Sequence, residues 1–285
     1  MLLTPELLQR HDKPGPRYTS YPTVPAWNTA FGHTAYVEAL DRASQSSDAP
    51  IALYVHIPFC EERCWYCGCN VVISKKPEVV VEFLAHIELE LAMAAKHLGG
   101  NRLVSQLHWG GGTPTYLTPE QMEQLFGAIT QHFTLLPNAE VAIEVDPRVT
   151  NEAHMQTLNR LGFNRISMGV QDLSPEVQEA IGRNQSLEQT REMMEWSRAA
   201  GFNSINLDLI HGLPKQTVEG WTETIQSAIE LLPERLAIYS YAHLPKSLKH
   251  QSKIDAASLP DQDTKYRLIT TARTLLMDAG YVPIG

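Results

Sequence analysis

The sequence predicts an α/β protein in which parallel strands form a closed or partly closed barrel. Short apolar runs alternate with longer amphipathic stretches along most of the chain, which is the pattern of repeated β-α units. Several of the short runs are nearly continuously apolar, as expected for parallel strands buried on both faces. Polar or glycine-rich segments follow these runs, at the strand ends where such barrels carry their functional groups.

Six apolar runs are the candidate strands, and each is short and rich in β-branched or aliphatic residues. Because longer helical patterns lie between them, we expect the strands to pair in parallel. In chain order they span residues 51–57, 103–110, 140–145, 165–171, 204–212 and 235–242.

Amphipathic stretches between these runs are the candidate helices. Pro119, with Thr118 ahead of it, marks a helix start, and Gly201 marks a helix end. We expect residues 1–48 to form an N-terminal arm with a lead-in helix, and residues 49–285 to form the barrel core. The four clearest helical stretches span residues 79–98, 119–133, 186–201 and 217–232.

Length and composition narrow the functional class. A chain of 285 residues that is 43% hydrophobic can bury a large core without a metal or disulfide staple. No apolar run approaches the ~20 residues of a membrane helix, so we expect no membrane partner. The net charge of -9 disfavours a nucleic-acid partner. The first residues lack the apolar core of a secretory signal, which predicts a cytoplasmic protein.

All four cysteines lie within ten residues, at Cys60, Cys64, Cys67 and Cys69. This spacing places several thiolates around one small volume, and thiolates are the ligands of soft metals and iron-sulfur centres. Disulfides are disfavoured because such short loops gain little from cross-linking. Structural zinc stays open, although zinc sites usually use two separated cysteine pairs. A cubane held by three cysteines would leave one iron open to chemistry.

Polar residues follow successive strands and are expected to converge on one pocket. Glu144 and Asp208 lie inside apolar runs, where a carboxylate costs free energy unless it is paired. Asp146 before Pro147 is either a turn residue or a ligand. The glycines of residues 110–112 either form a turn or cradle a ligand. His56, His108 and His211 show no ligand-like spacing, so we assign them no catalytic role.

Several motifs carry a resemblance to known families. YVHIPFCEERCWYCGCN (54–70) and HWGGGTPTYL (108–117) resemble the radical S-adenosylmethionine (SAM) superfamily. That resemblance implies a partial, TIM-like (β/α) barrel. The wider set resembles the oxygen-independent coproporphyrinogen III oxidases, also called coproporphyrinogen dehydrogenases, and it comprises GPRYTSYPT, IEVDPR, RISMGVQD, DLIHGLPKQT and YSYAHLP. Cys69 and the N-terminal motif favour these enzymes over the related haem chaperones.

The resemblance implies a cofactor set. Cys60, Cys64 and Cys67 would hold a [4Fe-4S] cluster, and Cys69 would not be a ligand. S-adenosylmethionine would bind the remaining iron through its amino and carboxylate groups, and an electron from the cluster would cleave it to methionine and a 5'-deoxyadenosyl radical. The coproporphyrinogen enzymes are also expected to bind two S-adenosylmethionine molecules.

The same resemblance assigns contacts to the two cofactor molecules. Tyr54, Gly111 and Glu144 would contact the first, where a carboxylate suits an ammonium group. Arg183 suits a carboxylate of the second, and Asp208 suits its hydroxyls or ammonium. Without the resemblance, a solvated charge at a helix end is the less favoured alternative for Arg183. The full set implied for the second molecule is Tyr66, Gly112, Thr113, Gln171, Arg183, Asp208 and Ala242.

The implied reaction is oxidative decarboxylation of two propionates of coproporphyrinogen III to vinyl groups, giving protoporphyrinogen IX in haem biosynthesis. It requires an electron donor and an electron acceptor that the sequence does not identify, and we expect the full-length form to be a monomer. The chief alternative is a haem-binding or haem-chaperone protein of the same superfamily without decarboxylase activity. A zinc module without redox chemistry is a third.

Two expectations concern the chain ends. The proline-rich residues 13–22 are expected to lie extended across the barrel mouth, with Arg17 as a candidate contact for a substrate carboxylate. Relatives of this kind continue past the position of Gly285, so we expect their C-terminal helical domain to be absent from this chain.

Overall fold

A computed structural model of the protein describes residues 10, 23, 26–45, 49–100 and 102–284. Eight strands are present in this part of the chain. They are β1 (Ile51–Ile57), β2 (Phe59–Cys60), β3 (Val72–Ile73), β4 (Leu103–Gly111), β5 (Thr134–Val145), β6 (Arg165–Gln171), β7 (Ile205–His211) and β8 (Arg235–Ser240).

Six of these strands form one fully parallel sheet in the order β1-β4-β5-β6-β7-β8. The remaining two, β2 and β3, form a small parallel pair beyond the end of β1. Within the described residues, β1 and β8 are the two edges of the large sheet, so the sheet is open. Because all six strands run the same way, their carboxyl-terminal ends lie along one edge of the sheet.

Helices connect the strands and cover one face of the sheet. They are α1 (His33–Ser44), α2 (Glu78–Leu98), α3 (Pro119–His132), α4 (Glu152–Arg160), α5 (Pro175–Ala180), α6 (Leu187–Ala199), α7 (Val218–Glu230) and α8 (Gln262–Asp278). Short 3-10 helices span Pro114–Tyr116, Lys249–Lys253 and Ala256–Ser258. Among the described residues, no helix is both long enough and apolar enough to cross a bilayer.

The predicted helix boundaries are confirmed by local chemistry. The Thr118 hydroxyl accepts from the Gln121 N–H at the start of α3, with Pro119 as the first helical residue. This is the capping box that satisfies free N–H groups at a helix start. Gly201 follows α6 with φ of +96°, a conformation that favours glycine at a helix end.

The two faces of the sheet differ, which corrects one prediction. One face is apolar, and Trp109, Ile143 and Leu207 on it are fully buried with helix residues such as Leu125. The opposite face is polar and half-exposed, so the expectation of strands buried on both faces is wrong. The polar face carries Tyr54, His108, Glu144, Ser167 and Asp208.

One strand is longer than predicted. The run 140–145 is only the second half of β5, which begins at Thr134. Leu103 pairs with Thr134, and the register then shifts before Gln106 pairs with Glu140. The first half contains proline and asparagine, which are depleted in strands, so periodicity alone did not reveal it.

The N-terminal predictions are only partly covered by the described residues. The lead-in helix corresponds to α1, whose Leu40 and Ala43 pack against the main core. Asp41 at its end lies 2.9 Å from His97 Nδ1 on α2. Residues 13–22, including Arg17, lie outside the described residues, and the division into 1–48 and 49–285 stays a prediction.

Candidate functional site

The cysteines lie in a loop that follows β1 and is bracketed by the β2–β3 pair. Cys64 is buried, Cys60 and Cys67 are half-buried and Cys69 is exposed. All four are free thiols, so the structure contains no disulfide within the loop. The loop lies at the carboxyl-terminal edge of the sheet, as the strand order requires.

The 3-10 helix Lys249–Lys253, far along the chain, holds this loop in place. The Gln251 side-chain amide donates to the carbonyl oxygens of Tyr66 at 3.0 Å and Ala242 at 3.3 Å, and its oxygen accepts from the Leu244 N–H. His250 Nε2 lies 2.6 Å from the Cys67 carbonyl oxygen. Gln251 is only 1% exposed, so these bonds are shielded from water. The loop is therefore a fixed part of the fold.

Each cysteine proposed as a ligand has its own electrostatic surroundings. Burial raises the pKa of the Cys60 thiol, which lies 3.3 Å from the Thr113 hydroxyl. Hydrogen bonds from the Cys69 thiol and backbone N–H, the latter at 3.4 Å, lower the pKa of Cys67 to about 6 despite burial. Cys64 accepts from two guanidinium groups, of Arg148 and Arg183. Such donors stabilise thiolates, the form that binds metal.

The donor set fits an iron-sulfur cluster by its chemistry. Three free thiols, of Cys60, Cys64 and Cys67, lie in one loop and are buried or half-buried, and thiolates are the ligands of iron-sulfur centres. Within the described residues, no group of three or more His, Cys, Asp or Glu side chains is placed to hold a single metal ion.

The glycine run packs directly beneath the cysteine loop. A Cβ atom at Gly112 would lie 2.6 Å from the Pro58 carbonyl oxygen and 2.8 Å from that of Phe59. Gly111 has φ of +126°, a conformation that side chains other than glycine rarely adopt. The run is therefore required for the close approach of the loop to β4, and it is more than a flexible turn.

Glu144 lies at the centre of the first set of residues. Its carboxylate accepts from the Gly111 N–H at 3.0 Å and lies 3.3 Å from His108 Nε2. Burial and the nearby Glu144 carboxylate raise the pKa of Tyr54 to about 12, so this phenol is neutral. The Glu144 side chain is 42% exposed. We call Tyr54, His108, Gly111 and Glu144 the open group.

A second set of charges lies two residues further along the chain. Asp146 pairs with Arg148, whose Nη2 lies at 2.7 Å, and with Arg183, whose Nη2 lies at 3.3 Å. Burial alone would raise the pKa of Asp146, but the two guanidinium groups lower it to about 2. Asp146 and Arg183 are 10% and 6% exposed. We call Cys64, Asp146, Arg148 and Arg183 the buried charge cluster.

This cluster resolves two alternatives left open by the sequence. Asp146 does initiate a turn, since it accepts from the Arg148 N–H at 3.0 Å, but it is also the anion between two cations. Arg183 is not a solvated charge, because it is buried and donates to the Gly169 carbonyl at 2.7 Å and to Gln185 at 3.0 Å. Its remaining nitrogen lies 3.5 Å from the Tyr66 hydroxyl.

Asp208 occupies a separate polar position on the same face. It accepts from the Ser167 hydroxyl at 2.9 Å and from the Asn206 amide at 2.8 Å. Burial raises the pKa of Asp208 to about 6, and the negative charge of Glu144 adds to this effect. The cost of placing a carboxylate in an apolar strand is thus reduced by two hydrogen bonds and by partial protonation.

Four of the seven residues assigned to the second cofactor molecule lie close together, namely Tyr66, Thr113, Gln171 and Arg183. Thr113 and Arg183 line a cavity of about 270 Å³ next to Cys60 and Arg148. Gln171, at the end of β6 with φ of +70°, lies beside Arg183, since both side chains would meet a Cβ at Gly169. The remaining residues of this set are linked to it indirectly. Gln251 donates hydrogen bonds to the carbonyl oxygens of both Tyr66 and Ala242. Gly112 lies beneath the cysteine loop, and Asp208 on β7 pairs in register with Gly169 on β6.

Some residues fall outside this grouping or were missed. Asp172 is buried and accepts from Ser174, Gln216 and Thr224, which ties the ends of β6 and β7 to α7. These bonds give Asp172 a structural role. Sequence reasoning missed His250 and Gln251, because their contacts join positions more than 180 residues apart. No local motif marks such contacts.

Comparisons with known proteins agree with this geometry. The chain matches the Radical SAM superfamily over residues 54–228, more than half its length. It is 43% identical to oxygen-independent coproporphyrinogen III oxidase from Pseudomonas aeruginosa and 42% identical to the one from Escherichia coli, covering 98% of this chain in each case. The chain spans 61% and 60% of the length of these two relatives.

A solved structure gives the same result for the fold. The chain superposes on coproporphyrinogen III oxidase from Escherichia coli, described as a radical SAM enzyme, with a TM-score of 0.89 and 41% identity. The match covers 94% of this chain and 61% of that one. The predicted α/β partial barrel of the radical SAM type is therefore confirmed.

Proposed function

The chain belongs to the radical SAM superfamily, and we propose that it is the catalytic barrel of an oxygen-independent coproporphyrinogen III oxidase. Membership of this superfamily implies a [4Fe-4S] cluster and S-adenosylmethionine. The substrate would be coproporphyrinogen III, which loses carbon dioxide from two propionates and becomes protoporphyrinogen IX. The observation that carries the proposal is the packing of the three-thiol loop against the glycine run and Glu144, at one edge of a parallel sheet.

We assign Cys60, Cys64 and Cys67 as the cluster ligands. When bound, the reduced cluster and S-adenosylmethionine supply a carbon radical that can remove a hydrogen atom from the β-carbon of a propionate. Such a step needs no general base from the protein. The residues must instead bind the cofactor in one orientation and exclude water.

The open group suits the first S-adenosylmethionine molecule. Glu144 is held by the Gly111 N–H but is 42% exposed, so it retains acceptor capacity for an ammonium group. Tyr54 is 57% exposed and neutral, and its ring can cover an apolar part of the ligand. These residues would fix the ligand relative to the cysteine loop.

The second S-adenosylmethionine molecule is the finer part of the proposal. Its candidate contacts are the cavity-lining Thr113 and Arg183, the carboxylate of Asp208, and the neighbouring Tyr66, Gly112, Gln171 and Ala242. Burial raises the pKa of Tyr66 well above its usual range, so its hydroxyl stays neutral beside Arg183. Two cofactor molecules match a reaction that removes two carboxyl groups.

The remaining assignments follow from the same proposal. Four free cysteines are typical of a reducing compartment, so we propose a cytoplasmic location. One electron donor and one electron acceptor, both unidentified, are needed to complete the reaction. We propose that the full-length protein is a monomer.

The test begins with the cluster. Anaerobically reconstituted protein should contain about four irons and four sulfides per chain, in line with a cubane centre. Cys64→Ala should lose nearly all of this iron, whereas the matched variant Cys69→Ala should retain it. Iron and sulfide analysis with electron paramagnetic resonance provides the measurement. Equal iron retention in both variants would refute the ligand assignment.

The activity test uses the same preparation. Protein, a reductant, S-adenosylmethionine and coproporphyrinogen III are incubated without oxygen, and the porphyrin products are resolved by mass. Loss of two carboxyl groups, together with release of 5'-deoxyadenosine, supports the oxidase. Haem retention without decarboxylation would instead support a haem carrier of the same superfamily.

A further inference from the structure

Arg148 belongs to neither cofactor contact set, yet its guanidinium group is held by three partners: the Asp146 carboxylate, the Arg183 carbonyl oxygen and the Cys64 sulfur. Nε donates to Asp146 Oδ1 at 3.0 Å, and Nη2 donates to Asp146 Oδ2 at 2.7 Å. Nη1 donates to the Arg183 carbonyl oxygen at 2.8 Å. The last contact is from Nη2 to the Cys64 sulfur at 3.5 Å. A side chain held in this way keeps one orientation, with one nitrogen directed at a thiol.

Cys64 thereby differs from Cys60. It receives a second guanidinium nitrogen from Arg183 at 3.7 Å, whereas Cys60 contacts the neutral Thr113 hydroxyl. Asp146 balances one of the two positive charges, so one net positive charge remains at the Cys64 sulfur. The Arg148 side chain is 20% exposed, which limits screening of this charge by water.

We propose that Arg148 is a positioning residue that raises the reduction potential of the cluster through Cys64, an inference that rests on the proposed function. Reduction adds negative charge to a cluster and its thiolates, and hydrogen-bond donors to those sulfurs stabilise the reduced state. Arg148 supplies both a donor and a positive charge. Its role is therefore to make the cluster easier to reduce before any substrate is bound.

Arg148 carries this role better than Arg183. The Arg183 guanidinium also donates to Gly169 and Gln185 and packs near Gln171, so its loss would disturb the end of β6 as well. Arg148 contacts the carboxylate, one carbonyl oxygen and the sulfur. A change at Arg148 is thus a cleaner probe of the charge at Cys64.

The experiment is a potentiometric titration of the reconstituted cluster in the absence of S-adenosylmethionine. Electron paramagnetic resonance measures the fraction of reduced cluster at each potential. At a fixed potential, Arg148→Met should lower the ratio of reduced to oxidised cluster at least tenfold. For a one-electron couple, this corresponds to a fall of about 59 mV in the reduction potential. Arg148→Lys keeps the charge but not the planar fork, so its shift should be smaller. Arg160→Met, at an exposed position on α4, is the control and should titrate like the original protein.

A fourth variant tests the sign of the effect. Asp146→Asn removes a negative charge beside both guanidinium groups, so it should shift the potential upward. If Arg148→Met retains its iron and titrates like the original protein, the inference is wrong. If Arg148→Met loses its iron, unshifted potentials in both Arg148→Lys and Asp146→Asn would overturn it. A lack of cluster in the original protein would instead refute the proposed function.

Discussion

Glu144 and Asp146 are carboxylates two residues apart at the end of β5, and their surroundings are opposite. Glu144 in the open group is 42% exposed and accepts from one backbone N–H, while Asp146 in the buried charge cluster is 10% exposed and lies between two guanidinium groups. Glu144 can still accept hydrogen bonds from a ligand, whereas the carboxylate oxygens of Asp146 already accept hydrogen bonds from protein donors. Proximity in sequence therefore does not imply a shared role.

The difference also bears on how the cysteine loop is supported. The open group lies on the polar face of the sheet, where Tyr54 is 57% exposed and the Glu144 side chain 42% exposed. Arg148 of the buried charge cluster contacts Cys64. The three charged residues of the buried charge cluster also line the cavity beside Cys60. Under the proposed function, the buried charge cluster would lie next to the iron-sulfur cluster, and the open group would bind S-adenosylmethionine. Electron supply and cofactor binding would then depend on separate sets of residues.

The sharpest test of this difference compares Asp146→Ala with Glu144→Gln. Removing Asp146 leaves two guanidinium groups close together without their anion, which should lower the free energy of unfolding by about 3–5 kcal/mol. Glu144→Gln should change it by less than about 1 kcal/mol, because the side chain is half-exposed. Urea denaturation provides the measurement, and equal losses in the two variants would contradict the comparison.

Ligand binding should show the reverse order. Glu144→Gln loses the charge that would face an ammonium group, so S-adenosylmethionine should bind at least about tenfold more weakly, or about 1.4 kcal/mol. Equilibrium dialysis with reconstituted protein provides the measurement. Unchanged affinity would remove Glu144 from the first cofactor site.

A third prediction uses two glycines, Gly112 next to the cysteine loop and Gly110 next to the open group. A Cβ at Gly112 would meet backbone oxygens of the cysteine loop at 2.6 Å and 2.8 Å, which cannot move without shifting the loop. A Cβ at Gly110 would meet the Glu144 carboxylate at 2.8 Å and the Tyr54 hydroxyl at 2.9 Å, both at the ends of side chains.

Gly112→Ala should therefore destabilise the fold by about 1–3 kcal/mol, the usual cost of overpacking. Gly110→Ala should cost less, because Glu144 and Tyr54 can rotate away. Thermal unfolding of both variants provides the measurement. A larger loss in Gly110→Ala would show that the open group is as rigid as the loop.

The sequence predicted much of the framework. All six main strands were located, because short runs rich in β-branched and aliphatic residues indicate strands whatever their partners. The chemistry of Glu144 and Asp208 was also visible, since a carboxylate in such a run needs a partner. The resemblance supplied the grouping of Tyr54, Gly111 and Glu144, and the structure brings these three together.

Long-range contacts could not be predicted. The Arg148 guanidinium reaches Cys64 across 84 positions and Gln251 reaches Tyr66 across 185, and neither pair has a periodic signature. The first half of β5 was missed because it contains proline and asparagine, which are depleted in strands, and its register with β4 differs from that of the second half. Such features depend on the packed structure, which local propensity does not encode.

The smallest expected effect concerns the response of Asp208 and Asp146 to pH. The pKa of Asp208 is raised to about 6 from its usual 3.8, so the folded state holds this proton more tightly than the unfolded state. Its contribution to the free energy of unfolding is therefore lost as the pH rises from about 4 to about 6. The pKa of Asp146 is lowered to about 2, so its contribution is lost only as the pH falls below about 4.

These opposite signs give a direct measurement. The difference in unfolding free energy between the original protein and Asp208→Asn should fall by on the order of 1 kcal/mol between pH 4.5 and pH 7, by linkage. Asp278→Asn, at the exposed end of α8, provides the control. A difference that stays flat over this range would mean that Asp208 is ionised throughout. Asp208 would then be ionised over this pH range, as Asp146 is, and burial on the polar face would not raise the pKa of Asp208.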